Sequence, residues 1–241
     1  MMTTSRAIEL NRAAMWYDEL PKDKSWSALW YGYILCGRCG GIRLLEGPCS
    51  ACGERPPSLE PQLVNVDGKE ILVPSASMGA EGRYEDWIYL NMLEREWKRP
   101  VFDADRFPGS SPNDGPSPRA SIVLVFLSYF ETRIERLLRS GLREVPERIL
   151  EDALRRYSSI GARINDFYRV AFGSTYKVDL EEVGFGEIWP HLARIQERRN
   201  AFAHGQPQAI DDVLVNAVIA MMKAEHEAWI AVFNRRAARP R

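Results

Sequence analysis

The chain has 241 residues, with 32 Lys plus Arg against 33 Asp plus Glu, for a formal net charge of -1. Hydrophobic residues make up 45% and charged residues 27%, values of an ordinary globular chain of one or two domains, and they exclude wholesale disorder and fibrous repeats. The balanced charge excludes a global basic coat for nucleic acid, so any such contact has to be local.

No charge-free apolar run approaches the ~18 residues that a membrane-spanning helix requires. The segment from Met1 to Leu10 carries Arg6 and Glu9 and lacks the apolar stretch of a signal peptide. The expectation is a cytoplasmic protein without a membrane partner.

In chain order, a short helix is expected over Thr4 to Leu20, followed by the aromatic stretch Trp26 to Tyr33. Trp30 to Leu35 reads as a strand, with Ile42 to Leu45 as its return. Between and beyond them lie all four cysteines, Cys36, Cys39, Cys49 and Cys52, spaced C-x2-C-x9-C-x2-C. Two intervening residues let a tight turn aim both sulfurs of a pair at one ion. The glycine after each second cysteine, Gly40 and Gly53, permits the positive φ that such turns require. Four thiolates with no His or carboxylate substitute suit a closed, structural zinc site in a zinc ribbon. Two disulfides or a redox dithiol are the competing readings. A signal-less chain weighs against the first, and the lack of a βαβ unit against the second.

Gln62 to Val66 and Glu70 to Val73, joined through Asp67-Gly68-Lys69, read as a hairpin. Tyr84 to Lys98 reads as a helix. Arg106 to Arg119, RFPGSSPNDGPSPR, contains four prolines and two glycines and reads as a linker. The division expected is an N-terminal zinc-ribbon module with flanking helices over 1–105, a linker over 106–119, and a helical bundle over 120–241.

Four amphipathic segments follow: Ser121 to Leu138, Pro146 to Phe172, Glu187 to His204 and Asp211 to Arg236. Gly141, Gly173 and Gly205 punctuate their ends, and the arrangement predicts an up-and-down four-helix bundle. In the third segment, positions 188, 192, 195, 199 and 202 form one stripe, filled by Ile, Leu, Ile, Arg and Phe. A guanidinium on an apolar stripe needs compensation from a carboxylate, a partner chain or an anionic ligand. Glu131 on the first segment is one candidate partner, though an exposed glutamate is the simpler reading. His204 lies in the last turn and Asn200 four residues before it. Arg199 and His204 diverge by about 140° on a regular helix, so a single helix does not join them unless its last turn distorts or two copies meet.

The string Arg199-Asn200-Ala201-Phe202-Ala203-His204-Gly205, at the end of the third of four helices, resembles the HEPN family, whose signature is Arg-x4-6-His, often with Asn after the arginine. The resemblance covers about residues 120 to 236. It implies a homodimer whose paired copies of Arg199 and His204 flank one cleft and cut RNA without a catalytic metal. The 2′-hydroxyl would be the nucleophile, Arg199 would stabilise the phosphorane, His204 would transfer protons, and Asn200 would orient His204 or touch RNA. Arg198 is a candidate substrate contact. Toxins and phage-defence effectors occur in the family, which implies a possible antitoxin or regulatory partner; other members have kept the fold for binding. The alternatives are a non-catalytic dimeric adaptor and a nucleic-acid-binding protein that uses the zinc ribbon.

Overall fold

A computed structural model describes residues 33–36, 38–44, 48–54, 62–66, 69–73, 83–102 and 115–239. The expected first helix, Thr4 to Leu20, and the aromatic residues Trp26, Trp30 and Tyr31 lie outside the described residues.

Two antiparallel hairpins come first. Strands β1 (Tyr33–Leu35) and β2 (Ile42–Leu44) pair with Leu35 opposite Ile42. Strands β3 (Gln62–Val66) and β4 (Lys69–Val73) pair with Val66 opposite Lys69, leaving Asp67-Gly68 as the two-residue connection. A two-stranded ribbon has too little buried surface to stand alone in water. The first therefore depends on what its loops and neighbours supply.

The rest of the described chain is mainly helical. Helix α1 (Arg83–Lys98) is followed, beyond the proline-rich stretch, by α2 (Ser121–Gly141). The segment expected as one helix from Pro146 to Phe172 is broken: α3 (Glu147–Arg156) stops, and a new helix begins at Ile160. The cause is local. The Ser159 hydroxyl accepts a hydrogen bond from the Ala162 N–H, which caps a fresh helix start. That second helix runs as α4 (Ile160–Ala162), a π-helical turn over Arg163–Phe167, and α5 (Tyr168–Phe172). Gly173 ends it at φ 68°. Thr175 then caps a helix that periodicity did not single out, α6 (Tyr176–Glu182). Helix α7 (Ile188–Ala203) ends at His204 and Gly205, the latter at φ 85°. Helix α8 (Asp212–Ala237) starts at Asp211, whose carboxylate accepts from the Leu214 N–H.

Gly141 has a different role from the helix-ending Gly173 and Gly205. It is the last residue of α2 and has no positive φ. A side chain there would meet the Phe172 ring at 2.5 Å, so the glycine permits a close approach between α2 and α5.

One buried cluster unites these elements. Phe126, Phe130, Ile134 and Leu137 of α2 pack with Val218, Met222, Trp229 and Phe233 of α8 and with Leu192 and Ile195 of α7. Leu90 and Leu93 of α1 are wholly buried in the same cluster, and Ile42 of β2 joins it. The proline-rich stretch therefore connects elements of a common core. Its described end is anchored: the Ser117 N–H donates to the Ile210 carbonyl (2.7 Å), and Arg99 Nη2 donates to the Pro118 carbonyl (2.7 Å).

Candidate functional site

The two cysteine turns share one backbone pattern. In the first, the Gly40 N–H donates to the Cys36 carbonyl (2.9 Å) and the Cys36 N–H to the Gly41 carbonyl (2.7 Å). In the second, the Gly53 N–H donates to the Cys49 carbonyl (2.7 Å) and the Cys49 N–H to the Glu54 carbonyl (2.8 Å). Gly40 and Gly53 adopt φ 70° and 74°, the left-handed conformation their positions call for. The turns face each other. Cys36 and Cys52 sulfurs are 3.6 Å apart, those of Cys39 and Cys49 3.7 Å, and all four lie within 4.8 Å of one another. Four sulfurs placed about 2.3 Å from a central ion would be about 3.8 Å apart along each tetrahedral edge. The cluster thus has the dimensions of a four-thiolate metal site, and none of its sulfurs is in a disulfide.

Electrostatics without an ion oppose the thiolate form. Burial pushes the Cys39 thiol up to about 12; the Gly41 N–H pulls it down, and the adjoining sulfurs of Cys52, Cys49 and Cys36 push it up. A bound cation inverts that balance, because a coordinating thiol loses its proton outright. With all four donors provided by the chain, no position is open for a substrate, and such a site holds structure together.

The cysteine turns are seated on the end of α8. Asn234 clasps the Ile42 backbone with both ends of its amide: Oδ1 accepts from the Ile42 N–H and Nδ2 donates to the Ile42 carbonyl, each at 2.6 Å. The Arg239 N–H donates to the Cys39 carbonyl (2.9 Å), and Ala238 packs on the cysteines. Gly41 is required by this seat, since a Cβ there would come within 2.9 Å of Ala238 Cβ.

The arginine–histidine region lies at the end of α7. Ile188, Leu192 and Ile195 are buried, as their stripe requires, and Arg199 and Phe202 are half-buried. Arg199 lines a surface groove of about 380 Å³. α2 contributes Glu131 to this groove, the α3–α4 junction contributes Ser158, Ser159 and Ile160, and α7 contributes Gln196, Arg199 and Asn200. Arg199 Nη1 donates to Asn200 Oδ1 (3.3 Å). Among the described residues Arg199 makes no ion pair, and Glu131, although in the same groove, does not pair with it. Arg198 faces elsewhere, with Nη2 3.7 Å from Asp211 Oδ2 at the start of α8. His204 is exposed, caps α7 through its backbone N–H, and stands outside the lining of the groove. Arg199 and Asn200 are therefore brought together, and His204 is not joined to them within one chain.

Sequence reasoning missed two buried charge networks. Arg133 and Glu225 form an ion pair that is almost entirely shielded from solvent. The Arg133 guanidinium lies over the Tyr129 ring at 3.9 Å and near the Trp229 ring at 5.2 Å. Tyr129 Oη is 3.2 Å from His226 Nδ1, so this histidine has a buried companion. Burial pushes the Glu225 carboxyl above its ordinary range, and Arg133 offsets part of that rise. In the second network Asp179, fully buried, accepts from Arg236 through both oxygens and from Tyr168 Oη. Burial opposes its charge, but the hydrogen bonds from Arg236 and Tyr168 hold the Asp179 carboxyl below the usual range. The signal was present in the sequence. Arg133 interrupts the apolar series Phe126, Phe130, Leu137, and Glu225 falls between Met222 and Trp229, the same kind of interruption that drew attention to Arg199.

Among the described residues no helix is long and apolar enough to cross a membrane. Comparison of the chain with family models, with curated proteins and with solved structures finds no match.

Proposed function

We propose that the chain is a HEPN-like, metal-independent endoribonuclease that works as a cytoplasmic homodimer. The observation that carries this reading is Arg199: a half-buried guanidinium at the end of an apolar seam, opening into a groove, without a carboxylate partner among the described residues. An arginine so placed suits a phosphate, whose oxygens match its fork of donors. In this reading α2, the broken helix spanning α3 to α5, α7 and α8 act as the four helices of the family's bundle. The first hairpin and its cysteine turns act as a zinc ribbon, with zinc the ion that best suits four thiolates in a tetrahedron.

The reaction balances with the chain's own groups. One His204 takes the proton of the RNA 2′-hydroxyl as that oxygen attacks phosphorus. Arg199 stabilises the crowded, charged phosphorane. The second copy's imidazole protonates the departing 5′-oxygen. The products are a 2′,3′-cyclic phosphate and a 5′-hydroxyl. Histidine, which titrates near neutrality, suits both transfers. Separation of Arg199 from His204 within one protomer is the reason the reading requires two. Arg198, held near Asp211, serves to position α7 against α8 more than to hold substrate. A toxin or phage-defence role, with an antitoxin or regulatory partner to restrain it, belongs to the same reading.

The test is incubation of purified, metal-loaded protein with mixed RNA, without added divalent ions. Cleavage to cyclic-phosphate ends by wild type, abolished in Arg199→Ala and His204→Ala variants that retain the wild-type circular dichroism, supports it. Equal cleavage by all three removes the site assignment. The exposure of His204 outside the groove favours one second reading, a dimeric adaptor whose zinc ribbon holds a protein or nucleic acid. Absence of cleavage across RNA substrates, together with a stable dimer, would select it.

A further inference from the structure

We propose that the groove holding Arg199 is a guanine-selective nucleotide subsite, with Glu131 as the specificity-determining carboxylate. This rests on the RNA-cleaving reading for its substrate and goes beyond it by naming a base.

An unmet pair of charges lines the groove. Glu131 and Arg199 line one groove from two different helices, both half-buried, and among the described residues neither makes an ion pair with the other or with a third group. Opposite charges held apart across a polar groove fit a ligand that carries an anion at one end and hydrogen-bond donors at the other. The groove, at about 380 Å³, is of the size of one nucleotide unit. A phosphate satisfies Arg199. What satisfies Glu131 is narrower. A carboxylate only accepts hydrogen bonds, through two oxygens side by side, and it repels acceptors. Guanine offers two adjacent donors, N1–H and the N2 amino group. Adenine and cytosine set a donor beside an acceptor, and uracil sets a single donor between two acceptors. Guanine alone meets a carboxylate with two donors and no opposing lone pair.

The remaining lining agrees. Asn200 turns its Oδ1 toward Arg199, which leaves its amide N–H groups to donate. Guanine O6 and N7 are acceptors suited to such donors. Ile160, buried at the helix start, gives the base an apolar surface. Gln196 lies beside Gly161, where a Cβ would come within 2.9 Å of its Nε2.

The experiment uses the full, metal-loaded chain. Binding of 3′-GMP, 3′-AMP, 3′-CMP and 3′-UMP is measured by calorimetry for wild type, Glu131→Gln and Arg199→Ala, alongside mapping of cut sites in RNA. Expected is a preference for 3′-GMP of about tenfold or more, the usual scale of a bidentate base contact. Glu131→Gln, which swaps one acceptor oxygen for a donor, abolishes that preference, and Arg199→Ala weakens all four nucleotides together. Equal binding of the four, a preference unchanged in Glu131→Gln, or no binding of any at millimolar concentration overturns the proposal. RNA cut without regard to guanosine also overturns it and leaves the nuclease reading standing. Selective 3′-GMP binding without any cleavage upholds the subsite and removes the nuclease reading.

Discussion

Arg133 and Glu225 offer the sharpest check on the energetics of this core. Their side chains are 0% and 1% exposed, so neither charge has water to fall back on. Arg133→Met retains most of the volume and the apolar stem but leaves the buried Glu225 carboxylate without its cation. Breaking a buried pair from one side costs about 3–5 kcal/mol. For a chain of this size each kcal/mol moves the melting temperature by roughly 2–4 °C, so a fall of about 6–20 °C is expected. Glu225→Leu strands Arg133 with a comparable loss. The double substitution removes both charges, and its stability should return to that of wild type or exceed it by about 1–4 kcal/mol. The assay is urea unfolding followed by circular dichroism on the metal-loaded protein. The sign with pH is also fixed. Arg133 restrains the burial-driven rise of the Glu225 carboxyl, so its loss raises that group further above its unfolded value. A group so raised contributes stability below the unfolded value and loses it as pH climbs through the folded one. The Arg133→Met deficit should therefore be smaller at about pH 4.5 than at about pH 7.5. Singles that cost less than about 1 kcal/mol, or that simply add in the double variant, would refute the reasoning.

Asp179 supplies the opposite sign: its folded-state carboxyl lies below the ordinary range, so its contribution is present at neutral pH and is lost as pH falls through the folded value. Asp179→Asn should flatten the acid limb of stability below about pH 4 while lowering stability at neutrality, read by thermal melts across pH. Asn234→Ala should loosen the cysteine turns, so that zinc-loaded protein releases the ion to a chromophoric chelator faster than wild type does, and should lower stability by about 1–3 kcal/mol, because two backbone groups of Ile42 lose their partner. Gly141→Ala should cost about 1–3 kcal/mol through its clash with Phe172, whereas Gly141→Ala combined with Phe172→Leu should recover part of the loss.

The features most legible in the sequence were those set by spacing. The cysteine pairs and their glycines specified two turns, and these turns bring the four sulfurs together. Three- and four-residue periodicity located α2, α7 and α8 to within a few residues. It failed across Tyr157 to Ile160, where apolar spacing continues through Ser158-Ser159 although the helix restarts there. Side-chain capping by Ser159 outweighs periodicity at that point. Helix α6 escaped notice because seven residues are too few for a periodic signal. Arg133 and Glu225 were missed for another reason: each interrupts an apolar series, but they lie 92 residues apart and neither interruption by itself names its partner. The groove was only half visible. Arg199 stood out on its stripe, but Ser158 and Ser159 reach the groove through a helix junction that periodicity smoothed over.

The grip of Asn234 on Ile42 spans 192 positions of sequence. During translation the cysteine turns leave the ribosome long before their berth exists, so an ion bound by these turns would be captured by a nascent hairpin that has nothing yet to lean on. Capture and docking would then be separate events in time, with the interval between them set by how long the helices take to emerge and pack.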